Sequence, residues 1–539
     1  MRLLNTSTGF FEEFIGTNIP AYAILSHTWS EEEVSFKDMT ATTEPLYKAK
    51  KGYAKISMAC QLAKADGLHA ELSEAIKSMY QWYARAEKCY AYLVDLESTV
   101  SWRENLAYCR WFTRGWTLQE LIAPVDVYFF DQHWNMLFRK SEGIGVLTNI
   151  TGIDRGVLAC SRSLQSISVA QRMSWASRRV TARVEDEAYC LLGIFDVNMP
   201  MLYGEGRKAF LRLQEEIVRI CPDLSIFAWK ASSPQVKDHN GPVVCSVFAS
   251  AALDFAESGS FAAVNAHSTN DFFISNQGIK LHMRLTMTSI PKQQGWQYIF
   301  PVCKTDDGTM LGIRLRKCGA SQLVREDPWA LVEHDLSFLS MNSRTMYLLA
   351  RLPPALSPEY FLRDVVLHTR SRILQIALSP KLFVSNTWPW SRWDGTDQVF
   401  FVSDNLDLDY AATKVSGVFN VRVRKKIVNA QVDFMLYSLG WANTSSRKPV
   451  YTIVPWKPSD SILKDFNDKL EQYDYVTSMV EGDLRAYKIR MSSSAECELA
   501  DSGYSVTVNC SSHIVNDETK CLVQYWKLDL SCDVKKNPN

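Results

Sequence analysis

The sequence has no Cys-x-x-Cys pair and no grouping of cysteine and histidine at zinc-site spacing. Its 13 cysteines are odd in number and scattered. That pattern excludes a structural zinc module and argues against a disulfide framework. It fits reduced, mostly buried thiols in a cytoplasmic protein, with no metal. No apolar run reaches membrane-spanning length, and Met1–Phe14 lacks a basic stretch followed by an apolar core, so neither a membrane span nor a signal peptide is expected. Charge of neither sign is in excess: 59 Lys+Arg against 59 Asp+Glu give a formal net charge of +0. A broad nucleic-acid surface needs clustered excess cation, so no nucleic-acid partner is expected.

What is present is an ordinary globular composition, 47% hydrophobic and 22% charged over 539 residues. That length suits about three to four domains. The first part alternates. Ala21–Ser26 reads as a buried strand leading into His27-Thr28-Trp29, and Cys89–Val94 and Val125–Phe130 as further strands. Helices are expected over 51–68 and 71–86. Strands alternating with helices imply an α/β layer with a mostly parallel sheet, whose ligands bind at the carboxyl ends of the strands. Ser26, His27 and Trp29 fall there. Only Leu68, His69 and Ala70 separate the first two helices, so one strand of the sheet is read as missing.

The stretch Arg110–Pro124 carries a short helix. Thr113 and Gly115 offer its turn and cap, and Pro124 ends it. Trp116 and Glu120 lie one turn apart on one face. A carboxylate beside an indole is either a partly desolvated acid or a surface residue leaning on an aromatic, and the second is the commoner case. His27 suits a hydrogen-bonded structural histidine as well as a ligand contact. Ser26 has no evident His/Asp pairing, so a hydrolase triad is rejected. Glu185 and Asp186 suit a helix start, and Arg114 and Arg183 suit either pairing with those acids or an anionic ligand.

From Ser168 the chain turns helical, over 168–178, 184–195 and 206–220. Gly204 and Gly206 open the last helix with a turn whose amides suit a phosphate, although a plain turn explains them more simply. A polar linker follows at 231–241. Beyond it the period changes to two: Ile279, Leu281, Met283, Leu285 and Met287 alternate with polar residues, as in a half-buried strand. Further strands are expected at Trp296–Val302, Met310–Arg316, Ile373–Leu378, Val399–Val402, Val418–Val423, Val432–Tyr437, Tyr451–Val454, Ala486–Met491, Tyr504–Val508 and Leu522–Leu530, with one helix at Ser461–Tyr473. This half reads as two antiparallel sandwich or barrel units, 242–385 and 386–539, with a break near Pro353–Ser357 or Ser385–Gly395. It carries no motif of chemistry and reads as a regulatory, ligand-sensing or interaction region.

Five segments resemble the fungal heterokaryon-incompatibility (HET) domain proteins over roughly 1–230: Met1–Thr6, Ala23–Trp29, Arg114–Pro124, Arg183–Phe195 and Leu202–Gly206. The resemblance implies an α/β core at 1–150 with a helical extension at 151–230. It also implies a role in programmed cell death and non-self recognition after fusion of unlike cells. Val244–Leu285 resembles a module often found just after HET domains. The segment Trp116-Thr117-Leu118-Gln119-Glu120-Leu121 in turn is similar to the W-C-x-x-E-L helix of TIR domains, implying a TIR/flavodoxin-like fold. In this light Glu120 is the candidate catalytic residue for cleaving NAD at the nicotinamide–ribose bond, with Ser26, His27, Trp29 and Trp116 as candidate substrate-binding residues. NAD is then a substrate; no cofactor is implied with certainty. The alternatives are a non-enzymatic module that signals by self-association or through an incompatibility partner, and a degenerate or mis-joined member. The last follows because family members carry a W-I-D-T-C-C-I-D-like strand after the first helix that this sequence lacks.

Overall fold

The computed structural model describes residues 1–352 except 15–17, 41–46, 72–78, 98–101, 233–242, 265–272, 284–285, 290–295, 318–321 and 334–343, and beyond 352 the backbone of the strands between 372 and 534. The first part is built on a seven-stranded sheet of β1 (Arg2–Leu4), β2 (Phe11–Glu13), β3 (Tyr22–His27), β4 (His69–Glu71), β5 (Lys88–Tyr92), β6 (Val127–Phe130) and β7 (Met136–Arg139). Their order is β2-β1-β4-β3-β5-β6-β7. The centre, β4-β3-β5-β6, is parallel. The flanks are antiparallel, so the sheet is mixed rather than mostly parallel. At β1–β2 and β6–β7 the cause is a short connection, since a tight turn can only join antiparallel strands, whereas β1 and β4 pair antiparallel across residues 5–68. In the β6–β7 turn, Asp131 Oδ1 accepts from the amides of His133 and Asn135, both at 2.8 Å.

The strand read as missing is present in short form. His69–Glu71 runs parallel to β3 in the register Tyr22↔His69, Ala23↔Ala70 and Ile24↔Glu71, and pairs with β1 at Leu4↔Ala70. Local chemistry makes three residues sufficient. The helix Tyr53–Ala65 ends in a Schellman motif, with Gly67 at φ 70°. The Leu68 amide donates to Ala63 O at 2.8 Å and the Gly67 amide to Lys64 O at 3.1 Å. The chain therefore reverses within two residues, and Leu68 and Ala70 enter the core.

Alternation assigns the two faces of the sheet. Tyr22, Ile24, Cys89, Ala91, Val127 and Phe129 face one core with the helix Thr117–Ile122. Ala23, Leu25, Tyr90, Tyr92 and Phe130 face the other, with Ala59 and Ala63 of the helix Tyr53–Ala65.

The helical stretch comprises Val169–Ser174, Asp186–Tyr189, Leu192–Phe195 and Lys208–Ile220. In the last, Phe210, Leu213 and Ile217 are buried, but Ile220 faces solvent. The first core runs without a break through Leu213 and Phe227 into Val302, Ile313 and Leu323. These last residues belong to a largely antiparallel β-rich unit over the described parts of 244–350. Ile279 and Leu281 are buried there and Lys280 is exposed, as the alternation predicts. The residues of the expected single strand pair with two different strands, however: Gly278–Met283 with Arg344–Leu348, and Thr286–Ser289 with Trp296–Lys304.

Two further sheets follow. One is led by the long pair Tyr504–Asn516 and Leu522–Val534, the other by Tyr410–Val423 and Lys426–Leu439. The strand expected at Ala486–Met491, the helix at Ser461–Tyr473, the break at Pro353–Ser357 and most of the linker lie outside the described residues. Among the described residues no helix is long and apolar enough to cross a membrane.

Candidate functional site

The helix Thr117–Ile122 is buried on every side, all six residues included. It lies between the sheet and the helical stretch. No side chain caps its start, contrary to the expected role of Thr113. Its entry is fixed instead by backbone: Arg114 bridges Val180 in parallel, and the Gly115 amide donates to Val180 O at 3.0 Å. Thr117 Oγ1 donates to Arg114 O at 2.9 Å and to Trp111 O. Arg179 Nη1 donates to Arg114 O at 2.8 Å and to Thr117 Oγ1 at 2.9 Å. Gly115 is required for space rather than for a turn. A Cβ there would stand 2.5 Å from Thr181 Cγ2 and 3.1 Å from Cys190 Sγ.

This frame points Glu120 at the carboxyl end of β3. Period two places Ser26 on the same face as Tyr22 and Ile24, and Ser26 Oγ donates to Glu120 Oε2. Trp111 Nε1 donates to Ser26 Oγ at 2.7 Å. Ser26 and Trp111 are fully buried and Glu120 nearly so. The carboxylate is thus a desolvated acid in a polar chain, not a solvated surface group.

Glu120 forms part of the wall of a cavity of about 60 Å³. Its other polar and aromatic walls are His27, Trp29, Glu33, Glu71, Trp82 and Tyr83. That space holds a few waters or one ring-sized group, so a larger ligand would lie mostly outside. Trp29 is 45% exposed and stands at the rim, stacked on His27 with centroids 6.3 Å apart and planes at 14°. Tyr83 donates its hydroxyl to Leu25 O at 3.1 Å. Trp116 is half-buried, packs on the core beside the helix start, and is not among the cavity-lining residues.

Beside the cavity, Lys55 is buried and pairs with Glu33, and its Nζ donates to Thr28 O at 3.1 Å. Burial, then the Lys55 ammonium, push His27 down to about 4, so its imidazole is neutral at pH 7. Its Nδ1 is buried without a hydrogen-bond partner among the described residues. Burial alone would raise the Glu33 carboxyl. Its bonds from Lys55 and Ser30 more than offset this, and it sits below its ordinary value.

Sequence reading brought Ser26, His27, Trp29 and Glu120 to one place but missed Glu33, Lys55, Trp82 and Tyr83. A signal for Glu33 was available: Ser30-x-x-Glu33 has capping-box spacing, and the Ser30 amide and hydroxyl both reach Glu33 Oε1.

The glycine turn holds an anion already. The amides of Gly204 and Gly206 donate to Glu185 Oε1 at 2.8 and 3.0 Å, and Asp186 accepts from the Tyr203 hydroxyl at 2.9 Å. Arg183 lies over the Tyr203 ring at 4.4 Å. These acids bind the turn as well as opening their helix.

The N-terminal region is thus of the α/β class: an open, mixed sheet with helices on both faces and a buried carboxylate at the carboxyl end of β3. Over 223 aligned residues the chain is 43% identical to the vegetative incompatibility protein HET-E-1 of Podospora anserina. The match takes in 37% of this chain and spans 16% of that protein's length. The 223 aligned positions exceed 37% of 539 residues, so the relative has positions in this stretch with no counterpart here. A family model described as a domain of unknown function (DUF8212) matches residues 208–300, across the last long helix and the start of the β-rich unit. No solved structure matches.

Proposed function

We propose that the chain is an incompatibility-type protein acting in the cytoplasm, and that its TIR-like N-terminal α/β region is an effector of cell death that cleaves NAD between nicotinamide and ribose. The observation that carries the reading is Glu120, nearly buried, in the wall of a cavity at the carboxyl end of β3. Breaking the N-glycosidic bond develops positive charge on the ribose. A carboxylate in a water-poor site stabilises that charge and accepts from the ribose hydroxyls. Ser26 and Trp111 would hold Glu120 in place, and Trp29 at the rim would pack on a ring face. The β-rich remainder would sense the trigger or bind the incompatibility partner.

The test is to incubate the purified full chain with NAD and follow nicotinamide release. Wild type should release it, and Glu120→Ala should lose at least a hundredfold in rate. An inactive wild type, or a variant as fast as wild type, rejects the reading.

One observation favours a second reading, a non-enzymatic module that signals by self-association. Glu120 Oε2 is already engaged by Ser26, which in turn serves Trp111, as in a structural polar chain. On that reading cell death on expression persists in Glu120→Ala.

A further inference from the structure

Lys140 is completely buried, yet the hydrogen-bond partners of its Nζ among the described residues include no carboxylate. They are Leu121 O at 3.3 Å, Pro124 O, and Cys160 Sγ at 3.9 Å. The neighbouring acid, Asp126, is engaged by Arg139. Leu121 and Pro124 lie at the C-terminal end of the helix that carries Glu120, so this nitrogen ties down the exit of that helix. The third partner differs from every other described cysteine. Cys160 is exposed, whereas Cys60, Cys89, Cys109, Cys190, Cys221, Cys245 and Cys303 are buried or half-buried. It lies in left-handed backbone at φ 56°, just after the short helix Arg155–Leu158. The sulfur of an exposed residue therefore lies beside a buried amine, with Pro124 O at 4.0 Å and Val125 O at 3.9 Å, and the amine holds the Glu120 helix.

We propose that Cys160 and Lys140 form an oxidation switch: peroxide links Cys160 Sγ to Lys140 Nζ and releases the end of the Glu120 helix. The chemistry needs hydrogen peroxide and nothing else. The Cys160 sulfur attacks one peroxide oxygen and gives up its proton. The S–O bond forms, the O–O bond breaks, sulfur gives up two electrons, and the leaving hydroxide takes a proton to become water. The Lys140 lone pair then attacks the sulfur of the sulfenic acid. The S–N bond forms, the S–O bond breaks, and hydroxide leaves with the nitrogen's proton as a second water. The balance is one thiol, one amine and one peroxide giving one sulfenamide and two waters.

The burial of the nitrogen suits it to this step: it lowers the affinity of the Lys140 amine for its proton, which favours the form that carries the lone pair. The product nitrogen keeps a single N–H, so the carbonyls of Leu121 and Pro124 no longer each have a donor from it. The linkage does not depend on whether Glu120 cleaves anything.

The experiment treats the native full chain with hydrogen peroxide, then maps it by mass spectrometry after alkylation and digestion. The expected result is a loss of two hydrogens, a cross-linked peptide pair holding Lys140 and Cys160, reversal by dithiothreitol, and no such pair in Cys160→Ser. That variant changes one atom of an exposed residue and keeps Lys140. The proposal is overturned if Lys140 stays free while Cys160 goes to a dimedone-trapped sulfenic acid or on to sulfinic acid. It is equally overturned if Cys160 pairs with another cysteine, or still alkylates fully after peroxide.

Discussion

The guanidinium of Arg325 lies 3.7 Å from the centre of the Trp229 ring, and Arg325 is completely buried. Its Nη1 and Nη2 donate to the carbonyls of Phe227 and Trp229, and burial holds its pKa down to about 10. One side chain from the β-rich unit thus fastens the segment that closes the helical stretch. Arg325→Met keeps much of the volume but strands two carbonyls. We expect a loss of about 2–4 kcal/mol, read as a lower urea midpoint. Arg325→Lys should recover only part, since a single ammonium cannot reproduce the planar fork or its stacking.

Gly115→Ala should destabilise the chain by about 1–3 kcal/mol, because the added methyl meets Thr181 and Cys190 in a packed region. Thermal unfolding of Gly115→Ala beside Gly115→Ala/Thr181→Ser provides the check. If the clash is the cause, the second change restores part of the loss.

His27 makes stability depend on pH. Its folded pKa of about 4 lies below its ordinary 6.5, so the fold favours the neutral ring. The contribution is complete above 6.5 and is lost as pH falls toward 4. From this group we expect about 2 kcal/mol less stability at pH 5 than at pH 7.5. The depressed Glu33 carboxyl acts in the same sense at lower pH. Urea unfolding of wild type and His27→Gln at the two pH values tests this: the variant should be flatter over that interval.

Ser26→Ala removes the acceptor of the Trp111 indole and the donor to Glu120 together. Both remaining groups are buried, so a cost of about 2–3 kcal/mol is expected in denaturant titration. Ser26→Thr keeps the hydroxyl and should cost less unless its extra methyl clashes. If Ala and Thr behave alike, the hydroxyl is not what matters.

The parts of the fold legible in the sequence were those where one periodicity governs a whole segment. β3, β5 and β6 are short apolar runs, and the helix Lys208–Ile220 has a clear apolar stripe with its last residue exposed. β4 was not legible, because three residues carry no period and its formation depends on Gly67 reversing the chain and on neighbours already in place. At the site, Ser26, His27 and Trp29 could be placed because strand ends gather ligands, and Glu120 because its helix is bounded by Gly115 and Pro124. The Lys55–Glu33 pair was hidden for the opposite reason. It joins residues 22 apart, and no local pattern records that a lysine on one helix reaches a loop beyond the neighbouring strand.

The brevity of β4 bears on how this domain can change over time. A strand held between two neighbours needs only enough length to keep register with them, and here one pair with β1 and three with β3 suffice. Further length in β4 is not needed to fix its place between β1 and β3. The matched stretch of the Podospora protein is longer than its counterpart here, so length within that stretch differs between the two chains.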